Sequence, residues 1–524
     1  MNVTITLPKT GPNDCRIRNE RIFDRANHVV STTAIVLYAH QYNTQLSGAT
    51  MLLPVETYGY TYYSVNYKQP PVNSWGKNWF YVIASEDNTA IQITPSDTTQ
   101  GGLLPGQTIT VNLNKGQLYN VFGKVSAYNE SNLTGSKIVS VAGSNGNCHP
   151  IAVFSGCSRL ILCVTDGGEV AQQHLFPAST WVTRYLTFHS IIATANPLTS
   201  PLLNFYRVMV DNPATIVKRN GIVLTGLQRN SFYQFQSTSG DYIEADQPIL
   251  VCQYITNSNE YSGSNLSPQG DPELMLLPSL EQGIKKARVY NTRNRNITVN
   301  YLTIIIPNDG IPSLKIDGAA VPASLRILHP NNPGYSIVAK RLLGPAAQYS
   351  IESEAAFTAM IYGSGTFDSY VYIAGTLINN LNSIGSIQNV YNSTAYPNTF
   401  TCPQSPFQLS IKIAYRAASL QWLFSQVHGL SPARDTSISN PVPADSQIVN
   451  GRKYFTYNLS TNFILSDTGL FNIPVIYTSP GINLCSQLEK TFVSVTVKPG
   501  PVADYNFMYA GCNADTAFFT GLAM

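Results

Sequence analysis

Four pairs of acidic residues stand close enough in the chain to share a site: Glu86 with Asp87, Asp166 with Glu169, Asp271 with Glu273, and Asp241 with Glu244. Two carboxylates facing one another across a scissile bond, roughly 5–10 Å apart, would make a glycoside hydrolase. All four pairs fall in turn-like contexts at repeat-equivalent or loop positions, so turn duty is their expected role. Nucleophilic catalysis would need a Ser or Cys with an orienting His. The histidines are His28, His40, His149, His174, His189, His329 and His428, and no Gly-x-Ser-x-Gly elbow accompanies them. We therefore expect no catalytic residues and a chain that is not an enzyme.

His149 lies beside Cys148 and near Cys157 and Cys163. Thiolates with an imidazole could hold zinc, but there is no C-x-x-C pair and no His at zinc-finger spacing. In an oxidising compartment the loop from Cys157 to Cys163 fits a small disulfide instead. Cys402 with Cys485 is the second expected disulfide, while Cys15, Cys148, Cys252 and Cys512 have no assigned partner. No metal residue is expected. Calcium is the one cofactor left open, because Asp87-Asn88, Asp211-Asn212 and Asn308-Asp309 present oxygen ligands. Asx turns capping hairpins account for these pairs without an ion, and no EF-hand loop is present.

Aromatic residues offer recognition chemistry. YGYTYYSVNY and NSWGKNWFY concentrate Tyr58, Tyr60, Tyr62, Tyr63, Trp75 and Trp79 in a short span. Amphipathic rings give a large contact area for little entropy. Strand alternation buries about half of them, so Tyr60 and Tyr62 are assigned to the core. Trp75, Tyr67 and Trp79 are the expected ligand-binding residues.

The elements that must position these groups repeat. AIVLYAHQ, PIAVFSG, PILVCQYI and AFTAMIYGSG are apolar strands entered from polar turns. Each of the first three is followed by ATMLLP, QQHLFP or ELMLLP and then by Tyr62, Tyr185 or Tyr290, at roughly 100-residue spacing. The second half of each unit repeats as well: WFYVIASEDNTAIQITP, YRVMVDNPATIVKRNG and TVNYLTIIIPNDGIPSLKIDG each give a strand, an Asp/Asn turn and a second strand. The fold class is all-β: three repeats of about 100 residues, closed as a propeller or arranged as an array of β-sandwiches. After Gly375 a polar linker leads to a segment with Trp422 at a core position and an Asp467-x-Gly469-x-Phe471 corner, which reads as an immunoglobulin-like sandwich. The expected division is a segment 1–30, a repeat domain 31–376, a linker 377–400, an immunoglobulin-like domain 401–499, and the start of a further module at 500–524.

Composition agrees. Charged residues make up only 12% and the formal charge is +3, spread along the chain. The nearest basic cluster, Lys285, Lys286 and Arg288, is too sparse for a nucleic-acid footprint. No run of about 18 apolar residues could span a membrane, and the N-terminus lacks the pattern of a signal peptide. The sequons at Asn129, Asn132, Asn296, Asn392 and Asn458 would be glycan acceptors in a eukaryotic secreted chain and incidental in a bacterium.

The repeat region resembles the N-terminal domain of the IgG Fc-binding protein family. The residues that carry this are FYVIASEDNTAIQITP, NLTGSKIVSVAG leading into PIAVFSG, FPASTW, GDPELMLLP after PILVCQY, and YGSGTFDSYVYIAGT. They run in order over residues 30 to 376. Where the family commonly has Asp-His-Leu after a Cys, this chain has Glu169-Val170-Ala171 after Gly168, so no role tied to that His carries over. Gly270-Asp271-Pro272-Glu273 is similar to the Gly-Asp-Pro-His site at which some mucin-type domains cleave themselves. That chemistry needs the His, and Glu273 stands in its place. The stretch from CPQSPFQLS to VTVKPGPVADYNF is similar to Ig-like and PKD-like modules of bacterial surface proteins.

These resemblances imply an extracellular, cell-surface adhesion or binding protein that recognises a protein or glycan of a host or neighbouring cell through loops of the repeat head. A structural subunit of a surface filament or layer, with self-assembly, and a carbohydrate-active enzyme on a propeller scaffold are the alternatives. The enzyme reading predicts convergent carboxylates with a raised pKa on one of them. No nucleic-acid partner and no membrane span are expected.

Overall fold

A computed structural model describes residues 3–11, 14–43, 46–68, 76–125, 131–162, 168–190, 198, 202–256, 270–292, 296–343, 347–366, 368–378, 382–391, 400–449, 452–479, 488–500, 503–509 and 517–523. Its regular structure is nearly all β, and the chain divides into two compact units, Met1–Leu381 and Asn382–Met524.

In the first unit every repeat builds a pair of sheets in the same strand order. The first repeat has one sheet of Thr61–Tyr63, Lys137–Val141, Thr89–Thr94 and Ile109–Leu113. Its second sheet runs Leu118–Phe122, Asn78–Ala84, Ile151–Leu160, Glu169–His174. Alternation makes these strands: in Thr89–Thr94 Ile91 and Ile93 turn inward while Gln92 faces solvent. Phe80, Val82, Val121 and Val153 of one sheet share a core with Ile91, Ile93 and Ile138 of the other.

The second repeat copies the order with Val182–Leu186, Tyr242–Ile255, Val217–Arg219 and Ile222–Val223, then Tyr233–Ser237, Asn204–Val210, Tyr242–Ile255 again and Glu273–Leu276. The third does so with Ile284–Tyr290, Gln348–Gly365, Lys315–Ile316 and Ala319–Ala320, then Tyr335–Arg341, Ile297–Pro307, Gln348–Gly365 and Ser369–Ile373. Tyr242–Ile255 and Gln348–Gly365 are long because each crosses from one sheet of its pair to the other. Asn220-Gly221 and Asp317-Gly318 supply the hairpin turns, with positive φ at both residues. None of the described sheets closes into a propeller.

Four hairpins organise the middle of this unit. We label their strands β1 (Tyr38–Tyr42) and β2 (Ser47–Met51), β3 (Ile151–Leu160) and β4 (Glu169–His174), β5 (Tyr242–Ile255) and β6 (Glu273–Leu276), and β7 (Gln348–Gly365) and β8 (Ser369–Ile373). The shorter strands touch in a cycle: β2 meets β4, β4 meets β6, β6 meets β8, and β8 returns to β2. A hairpin near the N-terminus thus completes a ring begun by the three repeats. Gly48 allows the approach of β2 to β4, since a Cβ there would stand 2.1 Å from the Val170 carbonyl oxygen.

The second unit has a four-stranded sheet, Ser383–Asn389, Phe407–Ile413, Arg452–Asn458, Asp445–Val449, and a five-stranded one, Phe400–Thr401, Leu488–Val497, Gly469–Thr478, Ser419–Trp422, Thr436–Ser439. Both contribute to one core, in which Trp422 is 1% exposed. Ser383–Asn389, inside the stretch read as linker, pairs with Phe407–Ile413 and buries Ile387. Ala503–Tyr509 and Ala517–Ala523 form a separate hairpin.

Candidate functional site

The expected contact residues are packing residues. Trp79 is 8% exposed and starts a ladder of rings, stacking at 5.5 Å on Tyr81, which stacks at 5.0 Å on Phe154, which stacks at 4.2 Å on His174. These residues fall on three neighbouring strands of one sheet, so cross-strand register aligns them. Tyr67 is 5% exposed and lies 4.5 Å from the guanidinium of Arg207. Both rings are buried. Trp75 lies outside the described residues.

Arg207 itself is buried, and among the described residues no carboxylate pairs with it. Its guanidinium is 3.7 Å from the Phe232 ring centre and donates to the Asn66 carbonyl at 2.7 Å, Thr134 Oγ1 at 3.0 Å and Gln234 Oε1 at 2.9 Å. Rings and neutral oxygens replace the lost hydration. This cage ties the first repeat to the second.

The expected disulfides do not form as assigned. Cys157 is a free thiol whose side chain turns into the core from β3, where burial pushes its pKa up to about 12. Cys402 is also free: Thr401 takes the buried place at the end of its strand, and Cys402 follows half-exposed. Their assigned partners, Cys163 and Cys485, lie outside the described residues. Cys252 is a free, buried thiol.

The acidic pairs have divergent fates. Glu86 Oε2 sits 3.0 Å from His149 Nδ1, and Asp87 accepts the Lys115 N–H at 2.9 Å. Asp241 is buried against Arg219 at 3.0 Å and accepts from Asn220 Nδ2 at 2.6 Å. Asp166 lies outside the described residues. Asp211 is held by Tyr63 and Arg229, and Asn308 Oδ1 accepts from Ser336 Oγ, so two of the Asx turns use their side chains within the protein.

Glu169, Asp271 and Glu273 gather at one end of the ring, and Asp368 joins them. All four are buried, none more than 5% exposed. Each stands beside a chain turn into a short strand: Glu169 opens β4, Asp271 and Glu273 lead into β6, and Asp368 precedes β8. One carboxylate spans three of the four hairpins. Glu169 Oε1 accepts the backbone N–H of Ser47 on β2 and, at 2.8 Å, that of Val170, while Oε2 accepts that of Ser369 on β8 at 3.2 Å. Ser369 Oγ accepts the Asp271 N–H at 2.6 Å.

Burial decides the ionisation of this cluster. It raises the Asp271 pKa to about 6, helped by the Asp368 charge and opposed by Arg159. Burial raises Glu273 well above the usual carboxylate range, and Asp271 adds to it. Burial and then Glu273 raise Glu169, against the N–H groups of Val170 and Ser47. The adjoining cavity, lined among others by Thr256, Gly270, Asp271, Glu273, Ser364 and Ser369, is small, with space for a body no larger than about one water. Among the described residues no three His, Cys, Asp or Glu side chains converge as a metal centre. Sequence reading missed Asp368, although YGSGTFDSYVYIAGT places it one residue before a ring strand.

The family model described as IgGFc binding protein matches residues 48–363. No curated protein matches the chain. Among solved structures, the C-terminal domain of the Streptococcus pyogenes antigen I/II-family protein AspA aligns at 8% identity over 48% of this chain and 92% of that one, with a TM-score of 0.12. A putative membrane anchored protein from Corynebacterium diphtheriae aligns at 10% identity over 59% of this chain and 63% of that one, with a TM-score of 0.13. Scores this low carry no argument about fold or role. The family match covers more than half of the chain and most of the three repeats, and on it the chain belongs to the IgGFc binding protein family.

Proposed function

We propose that this chain is an extracellular, cell-surface binding protein whose ring unit recognises a protein ligand through the connections at its acidic end. The observation that carries this is the family match over residues 48–363. Topology supports the choice of end. Because β2, β4, β6 and β8 each begin at that end, the connections 43–46, 161–168, 256–272 and 366–368 all lead into it. Rigid sheets presenting their connections at one edge are a common arrangement for binding. The second unit, with its two sheets and buried Trp422, we read as an immunoglobulin-like spacer.

The hydrolase reading gains the clustered acids and the raised pKa of Asp271. It is disfavoured by their burial, since ligand pockets usually offer about 300–1,000 Å³ and an open face. A structural subunit is the second reading, because the edge strand Ile222–Val223 exposes Ile222 by 73%.

The test is an array of immunoglobulins, mucins and glycans probed with the whole chain. Saturable binding to one class of protein, lost when 257–268 is replaced by a Gly-Ser linker, supports the proposal. Absence of binding with concentration-dependent polymerisation would favour the structural subunit.

A further inference from the structure

The acidic end of the ring gathers buried carboxyl groups, and one of them keeps an oxygen without a partner. Glu169, Asp271, Glu273 and Asp368 face one another, and the cation that acts on Asp271 is Arg159. Buried charge of one sign is costly unless it is paired or coordinates a metal. Glu169 is served by three backbone N–H groups. Glu273 is not served in full: its Oε1 is buried with no hydrogen-bond partner, in a side chain only 2% exposed.

A second observation, independent of the acids, points into the same space. Ser364 is 4% exposed, and its Oγ is also without a partner. Glu273, Ser364, Asp271 and Ser369 line one cavity, which has room for a body about the size of a single water. Gly270 keeps that room open: at φ +57° it passes so close to Ser364 that a Cβ would stand 2.2 Å from Ser364 Oγ. The conformation and the clearance both call for glycine. A buried hydroxyl and a buried carboxylate oxygen, both unpaired and lining the same small cavity, form an oxygen-rich site awaiting a positive occupant.

We propose that this cavity binds a hard divalent cation, Ca2+ by the chemistry of its donors, held by Glu273, Asp271 and Ser364. Two carboxylates completed by hydroxyl oxygens suit Ca2+, which accepts irregular oxygen shells, better than Mg2+, which demands octahedral geometry, or zinc, which prefers nitrogen and sulfur. The ion would offset two negative charges at once and give Glu273 Oε1 its missing partner. Because Asp271 and Glu273 lead into β6, and Ser364 and Ser369 are register partners on β7 and β8, occupancy would join the second repeat to the third at the ring. This goes beyond ligand recognition and does not depend on it.

The experiment titrates CaCl2 into the full chain, stripped with chelator at pH 7.5, by calorimetry, and follows thermal unfolding with and without the ion. Saturable binding near one ion per chain is expected, with a higher unfolding temperature. At free Ca2+ about 100 times its dissociation constant, the folding constant should rise about 100-fold. Glu273→Gln should weaken binding by tenfold or more, Ser364→Ala by less, and Glu86→Gln, an exposed carboxylate elsewhere, not at all. Ser364→Ala keeps the test informative where Glu273→Gln fails to fold. Failure of the wild type to bind Ca2+, or binding unchanged in both Glu273→Gln and Ser364→Ala, would overturn the proposal, the first leaving protons as the only neutralising ligand.

Discussion

The two units of this chain solve the same problem, a β sandwich-like core, with different materials. Asn382–Met524 relies on alternation: Leu409, Ile411 and Ile413 turn inward from a strand whose intervening residues are more exposed, and Leu420, Trp422, Val475 and Val495 join them in one core. Among the described residues that unit buries one carboxylate, Glu489, whereas the ring unit buries a larger set of charged and polar groups, among them Arg207, Glu169, Asp241, Asp271, Glu273 and His174, each at most 5% exposed. Alternation specifies one sheet pair. Joining three pairs and a separate hairpin into a ring needs directional contacts, and Glu169, Arg207 and Asp271 sit at such joints.

The largest effects should separate the units. Trp422→Ala should destabilise the second unit by about 3–5 kcal/mol and leave the unfolding transition of the ring unit in place. Arg207→Ala should do the reverse, at about 3–4 kcal/mol, by emptying the cage between the first and second repeats. Differential scanning calorimetry reads both. If either substitution shifts both transitions equally, the units do not unfold separately.

Arg207→Met sharpens the comparison, because it keeps length and apolar contact while removing the hydrogen bonds. The Asn66 carbonyl retains a donor in Tyr254 at 2.7 Å, so we expect a smaller loss, about 1–2 kcal/mol. A loss equal to that of Arg207→Ala would show that charge, and not packing, is what the cage supplies.

The next effect is pH-dependent and belongs to the ring alone. Asp271 has its pKa raised from 3.8 to about 6 in the folded chain, so folding favours its protonated form. Its stabilising contribution is complete below pH 3.8 and is lost as the pH rises to about 6, a change on the order of 2–3 kcal/mol. In chelator, Asp271→Asn should match the wild type near pH 4 and exceed it in melting temperature above pH 6. His174 works in the opposite sense. Burial lowers its pKa to about 3, so its contribution is present above 6.5 and lost as the pH falls. Comparing Asp271→Asn with the wild type at each pH isolates the carboxylate from the histidine. The smallest effect should be at the surface of the second unit, where Tyr391→Ser, at a residue 81% exposed, should fall within about 0.5 kcal/mol of the wild type.

How much of this was legible in the sequence follows the same division. The repeat was readable because strand, Asx turn and strand recur, and Asn-Gly and Asp-Gly mark hairpins whatever surrounds them. Trp422 was readable as core from alternation. Register was harder. Tyr62 and Tyr185 both donate their hydroxyls at 2.7 Å to repeat-equivalent carbonyls, those of Ile151 and Ile249. Tyr290, grouped with them by the order of the segments, is not their equivalent. Tyr62 pairs with Ile138 and Tyr185 with Ile243, but the corresponding Ile351 faces Ala287.

The site was partly legible for a related reason. Aromatic composition marked Trp79 and Tyr67 but could not say which face of a sheet they take, and both are buried. The cysteine pairs were assigned from spacing, which does not show that Cys157 turns into the core. The acids were named in pairs, and three of them converge, but their meeting depends on which repeat lies beside which. Asp368 shows this: it stands far along the chain from Glu169 and comes beside it only through the ring.

The most direct test is binding of the whole chain, by biolayer interferometry, to the immobilised protein that the array identifies. Three forms should be compared: wild type, a variant with 257–268 replaced by a Gly-Ser linker, and Trp422→Ala. The account predicts saturable binding by the wild type, loss of binding in the first variant with its ring transition intact, and retained binding in Trp422→Ala. Retained binding in the loop variant with loss in Trp422→Ala would place recognition in the second unit and contradict the account.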